Sequence, residues 1–106
     1  NTFMYALEQV FTSGNWLARE GREKEFQKAW QDFANWAARE KHGSESPYLL
    51  QDLENPRHFI SFGPWPDVEA IKKWRETEEF RNFVIRVKEL CEKFEPFTLR
   101  VVARGE

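Results

Sequence analysis

Two tryptophans nine residues apart, Trp65 and Trp74, bracket a short helix-forming stretch, and Phe80 follows shortly after. The run is Phe62-Gly63-Pro64-Trp65-Pro66-Asp67, then Val68 to Arg75. Indole offers a broad apolar face and one N–H donor, which suits gripping a flat organic molecule by its ring and one of its oxygens. Packing a helix of one or two turns onto a sheet does not need two such rings, whereas roofing a small-molecule pocket does. Trp16, Phe62, Trp65, Trp74, Phe80 and Phe83 are the residues expected to line that pocket; the plainer alternative is that the same rings are core. Trp30 and Trp36, on a helix face with Phe26 and Phe33, read as core. Side chains able to move a proton are few. His58 has the chemistry of a general base near neutral pH, Tyr48 could donate from its phenol, and Asn15 could steer a substrate oxygen. Each has a structural alternative, exposure near a turn for His58 and a strand-edge role for Asn15. No Ser-His-Asp order, glycine-rich phosphate loop or pair of metal ligands can be found. With two histidines (His42 and His58) and one cysteine, no metal site is expected.

The patterning indicates which elements carry these residues. Residues 4–19 read as extended, with Tyr5, Leu7 and Phe11 alternating with polar neighbours. Ser13-Gly14 interrupts the run, so 14–19 is the predicted strand, and the segment before it is either its bulged extension or a separate edge strand. Phe26, Ala29, Trp30, Phe33, Trp36 and Ala37 then share one arc of a helical wheel, with Lys24, Lys28, Asp32 and Arg39 opposite. Gly21 precedes this helix, its packed part is expected to end near Ala37, and His42-Gly43 supplies the stop. Pro47–Leu53 and Arg57–Phe62 read as strands joined by Glu54-Asn55-Pro56, and Gly63–Pro66 as a turn. Asp67 and Thr77 sit where helix N-caps belong. The second long helix is expected to bury Phe80, Phe83, Val84, Val87, Leu90, Cys91 and Phe94 and to stop at Pro96. Phe97, Leu99, Val101 and Ala103 alternate in a closing strand.

That order, β-α-β-β-α-β, is the ferredoxin-like α+β arrangement: a four-stranded antiparallel sheet with helices on one face, here one domain over residues 1–106. Leu17, Phe59 and Val102 are expected on the sheet's other face. A second copy is the simplest cover, which makes the protein a homodimer with a barrel between subunits.

Composition sets the outer bounds. The 106 residues are 41% hydrophobic, 32% charged and 16% aromatic, with a net charge of −2. That balance gives no pull toward nucleic acid or an anionic membrane, and the basic residues are interleaved with glutamates as on solvated helix faces. No apolar run approaches the roughly 20 residues that cross a bilayer, and no leader is visible. The single Cys91 fits a reducing, cytoplasmic setting.

Several stretches, in order, resemble the antibiotic biosynthesis monooxygenase family: Ser13-Gly14-Asn15-Trp16, Gly21–Phe26, Leu50–Pro56, Phe59–Trp65 and Ala70–Phe80. The likeness runs from about residue 12 to residue 103. It implies a dimeric α/β barrel with a pocket between helices and sheet. It also implies, for an enzyme, cofactor-independent oxygenation of a small phenol, quinol or polyketide-like aromatic, with no metal or flavin. The alternative within the same fold is a non-catalytic small-molecule-binding or stress-associated protein. Haem-degrading relatives combine a first-strand asparagine, a tryptophan on the short helix and an axial histidine. Trp74 matches the tryptophan, but Gly14 stands at the asparagine position, with Asn15 one residue off, and Val84 stands at the histidine position. One match in three argues against haem degradation.

Overall fold

The computed structural model describes residues 5–40, 42 and 46–106. Its elements are β1 (Val10–Ala18), α1 (Glu23–Arg39), β2 (Tyr48–Gln51), β3 (His58–Trp65), α2 (Val68–Arg75), α3 (Glu78–Leu90) and β4 (Cys91–Arg100). The strands form one antiparallel sheet in the order β2-β3-β1-β4. This is the ferredoxin-like α+β arrangement expected.

Two caps behave as their residue types require. Asp67 Oδ1 accepts from the Ala70 amide at 2.8 Å and opens α2, and Thr77 Oγ1 accepts from the Phe80 amide at 3.1 Å and opens α3. α1 has no side-chain cap. It follows Gly21, whose φ of +81° lets the chain turn without strain, and carries Glu23 and Glu25 in its first turn, where the helix dipole favours acids.

Two prolines read as breakers prove to be strand residues. Pro64 lies inside β3, opposite Phe11. β2 pairs with β3 only as far as Phe62, so beyond that point one side of β3 has no ladder and a missing N–H there costs little. The Gly63–Pro66 segment is therefore mostly strand rather than turn. Pro96 lies inside β4, opposite Gly14. β4 is an edge strand, so the same tolerance applies, and α3 ends earlier, at Leu90. Phe94 accordingly belongs to the sheet. Cys91 is the first strand residue, buried enough that desolvation pushes its thiol up to about 11 against a weaker opposing pull from Arg19.

β1 is one uninterrupted strand from Val10; Ser13-Gly14 does not break it, and its irregularity falls at Leu17/Ala18 against β4. The strand expected over 47–53 is trimmed to Tyr48–Gln51. Gly43 lies outside the described residues, while His42 donates its amide to Ala37 O at 3.0 Å and stacks on Trp36.

Register decides which side chains meet the helices. Trp16 pairs with both Phe59 and Phe94, and all three rings join the core with Phe26, Val87 and Leu90. Phe59 is thus an inner residue, 1% exposed. Its expected place on the outer face is taken by Ile60, because a shift of one residue exchanges the two faces. Val102 lies beyond β4.

Gly14 is required by Trp16. A Cβ built there would stand 2.6 Å from Trp16 Nε1 and 2.7 Å from Cε2 and Cζ2, so the indole lies directly over the glycine's Cα.

Candidate functional site

The two faces of the sheet carry different chemistry. On the helix side lies a cavity of about 90 Å³, bounded by residues of the sheet and of all three helices. Four indoles border it, those of Trp16, Trp30, Trp65 and Trp74, and the N–H groups of Trp16, Trp65 and Trp74 are treated differently. Trp16 Nε1 donates to Ser61 Oγ at 3.0 Å, and Trp65 Nε1 donates to Thr12 Oγ1 at 2.8 Å. Trp74 Nε1 is buried with no acceptor.

β3 supplies Ser61 and Trp65, and β1 supplies Thr12 and Trp16. The register sets Gly14 opposite Ser61 and Thr12 opposite Gly63, so each hydroxyl faces the indole of a neighbouring strand. α2 places Trp74 above Trp65, with ring centres 4.8 Å apart and planes tilted by 45°. Phe33 of α1 stacks on both Trp74 and Phe83, and Phe80 meets Trp74 edge-on. Offset and edge-to-face rings of this kind hold one another in place beyond their burial alone. A buried donor without a partner costs about 1–3 kcal/mol, and this one belongs to a wall residue of an aromatic cavity.

All six residues expected around the pocket border the cavity: Trp16, Phe62, Trp65, Trp74, Phe80 and Phe83. Phe62 does so from the sheet, since its ring packs near Phe11 and Tyr48. Trp30, Phe33 and Val84 border it too, so part of the α1 stripe read as core also faces this space. Ser61 and Thr12, which tether two indoles, and Arg75 at the end of α2 were not singled out from the sequence. The hydroxyl-to-indole pairings depend on strand register, and only Arg75's adjacency to Trp74 was visible in the chain.

None of the three proposed proton-handling residues borders the cavity. Tyr48, Asn15 and His58 lie on the sheet's outer face, where Asn15 and His58 belong to a polar row. His58 Nδ1 faces Asp52 Oδ2 at 3.0 Å, His58 Nε2 faces Asn15 Oδ1, and Asn15 Nδ2 donates to Glu95 Oε1 at 3.0 Å. Glu95 fixes the orientation of the Asn15 amide. Both ring nitrogens of His58 therefore face oxygens. Asp52 also accepts from the Glu54 and Asn55 amides. Its carboxyl is held below the usual range, first by the His58 hydrogen bond and then by the Glu54 amide, with desolvation opposing them.

A depressed carboxyl stabilises the fold above its unfolded value, and that contribution is lost as pH falls through the folded value. Asp52→Asn should therefore lower the urea midpoint at neutral pH, and the gap from the parent protein should close below about pH 4. Urea titrations at both pH values check this; an equal gap at both would refute it.

No group of three or more His, Cys, Asp or Glu among the described residues is placed to hold a metal ion. No described helix is long and apolar enough to cross a membrane.

A ferredoxin-like α+β domain with a tryptophan-walled cavity between sheet and helices is the class this geometry defines. Residues 13–86 match the antibiotic biosynthesis monooxygenase family, and the chain belongs to it. Solved structures agree on the fold. SnoaB, a cofactor-independent oxygenase from Streptomyces nogalater, is 17% identical, with 93% of this chain and 96% of that one covered and a TM-score of 0.79. A conserved protein from Methanosarcina mazei Go1 is 17% identical over 90% and 94% of the two chains, TM-score 0.79. PA3566 from Pseudomonas aeruginosa is 18% identical over 94% and 100%, TM-score 0.76. No curated protein matches the chain by sequence.

Proposed function

We propose that the cavity binds a small electron-rich aromatic molecule and that the protein is a cofactor-independent monooxygenase acting on it. The observation that carries this reading is the buried, unpartnered Nε1 of Trp74 in a wall made mostly of aromatic and small side chains, with Arg75 at the end of α2. An oxygen of the substrate, or of dioxygen as it is reduced, would supply the missing acceptor. Family membership and the fold shared with a cofactor-independent oxygenase support the reaction type.

In that reaction a substrate CH₂, or its phenolic tautomer, becomes C=O. One oxygen atom enters the product, the other leaves as water, and the substrate supplies all the electrons. The protein then has to exclude water, orient the ring and donate one hydrogen bond to developing negative charge. Trp16 and Trp65 shape the wall with their donors already committed, and Trp74 holds a buried one still to give.

A second reading, non-catalytic binding in the same cavity, is favoured by one specific observation. No histidine or carboxylate occurs among the described lining residues, so the chain offers no evident general base there. Two further elements belong to the proposal. The protein works as a two-fold dimer through the outer sheet face, and its one cysteine, Cys91, which is buried and unpaired, suits a reducing cytoplasm.

Trp74→Phe keeps a ring and removes the donor. It should leave folding stability within about 1 kcal/mol, since the lost ring area and the relieved orphan offset each other, and should slow aerobic turnover of a single-ring hydroquinone about tenfold or more. An oxygen electrode with product analysis measures this. Unchanged turnover in the variant would remove Trp74 from the chemistry. Binding without oxygen uptake in the parent protein would establish the second reading.

A further inference from the structure

Arg75 is the one charged side chain among the described residues that line the cavity. It is the last residue of α2, next to Trp74. Its Nη2 donates to Thr98 Oγ1 at 3.1 Å, which ties the guanidinium to β4 at the row where Thr98 pairs with Thr12, another wall residue. Among the described residues no carboxylate lies within ion-pair distance of Arg75. A guanidinium has five N–H donors in a rigid fork suited to a pair of anionic oxygens, and only one of its nitrogens is engaged by another side chain.

The cavity thus combines a permanent positive charge, a buried uncommitted indole N–H and, among the described lining residues, no histidine or carboxylate to accept a proton. A neutral phenol bound here would have to lose its proton without a base. A molecule already ionised in water needs none, and its charge meets the only ion in the wall. Size narrows the class further. An engineered apolar cavity of roughly 150 Å³ holds benzene; this one, at about 90 Å³, has room for a single ring that leaves its polar end at the rim, and not for fused rings.

We infer that the cavity selects a single-ring aromatic anion, with the charged oxygen on Arg75 and the ring among Phe33, Trp65 and Trp74. The inference rests on the cavity being the ligand site and adds to it the charge of the ligand and the residue that reads it. Arg75 is a specificity residue here.

Isothermal titration of the intact chain near neutral pH, with benzoate, 4-nitrophenolate, benzamide and benzylamine, tests it. Benzoate and 4-nitrophenolate should bind about tenfold or more tighter than benzamide, as expected for a charge-assisted hydrogen bond, and benzylamine should bind weakest. The preference should shrink as salt is raised. Arg75→Gln should bring the two anions down to the level of benzamide. Arg75→Lys should keep part of the preference, since the charge stays and the fork is lost. A preference for benzoate alone would assign the anion as a carboxylate, and a preference for both would assign it by charge. Benzamide binding as tightly as benzoate to the parent protein, or an anion preference surviving in Arg75→Gln, overturns the charge assignment alone. Failure of all four compounds to bind overturns the cavity reading with it.

Discussion

Trp16→Ala should lower the unfolding free energy by about 3–5 kcal/mol, the usual cost of truncating a buried tryptophan. For a domain of this size that is a large share of a total of about 5–15 kcal/mol. The indole is 5% exposed, stacks on Phe94 with ring centres 4.1 Å apart, and packs against Phe26 and Phe83. Its removal would also leave the buried Ser61 hydroxyl without the N–H it now accepts. Gly14 supplies a sharper test of the same packing. In the parent protein Gly14→Ala should cost about 1–3 kcal/mol, because the new methyl meets an indole that Ser61 and Phe94 hold in place. With Trp16 already truncated, the obstruction is gone, and the same substitution should be neutral or stabilising by a few tenths of a kcal/mol. A double-mutant cycle by urea denaturation should therefore give a coupling of about 1–3 kcal/mol. Equal costs of Gly14→Ala in both backgrounds would show that the strand backbone, and not the indole, demands glycine.

The pairing of Gly14 with Trp16 illustrates what could be read from the chain and what could not. The order of elements was legible because hydrophobic period and cap chemistry are local. Phe26, Phe33 and Ala37 share an arc over any stretch of helix, and Asp67 and Thr77 cap whichever helix follows them. Pro64 and Pro96 were misread because tolerance of proline depends on whether a strand has a neighbour on that side, which is a property of the assembled sheet. Phe59 and Ile60 exchanged faces for a related reason: both are apolar, so alternation alone does not say which belongs inside. The cavity rings were legible as a cluster of aromatic residues. The hydroxyls that commit two of the four indoles were not, since Thr12 and Trp65 meet only through the β1–β3 register. His58, Asn15 and Tyr48 drew attention by residue type, and strand parity turned all three away from the cavity.

The same parity leads to the second large expected effect. Phe97→Asp should convert a dimer into a monomer. On the outer face Tyr48, Leu50, Ile60, Phe97 and Leu99 are each between 44% and 56% exposed. The register collects them. Tyr48 lies opposite Phe62, Leu50 opposite Ile60, Phe97 opposite Ser13, and Leu99 opposite Phe11. The His58–Asn15–Glu95 row borders them, with Asn15 directly opposite Ile60. An exposed apolar patch rimmed by polar residues is the kind of surface that marks a protein–protein contact. A two-fold axis through the patch would bury it against its own copy, as an isologous interface requires. Because Phe97 is 44% exposed in the protomer, aspartate there should disturb folding little, yet across the axis two buried carboxylates would face each other without partners. Sedimentation at micromolar concentration should give twice the 12.7 kDa protomer mass for the parent protein and one protomer mass for the variant, with similar urea midpoints for protomer unfolding. Glu95→Gln, in the polar row, should leave the dimer intact. A parent protein that sediments as a monomer, or a Phe97→Asp variant that stays dimeric, would rule out this face as the interface.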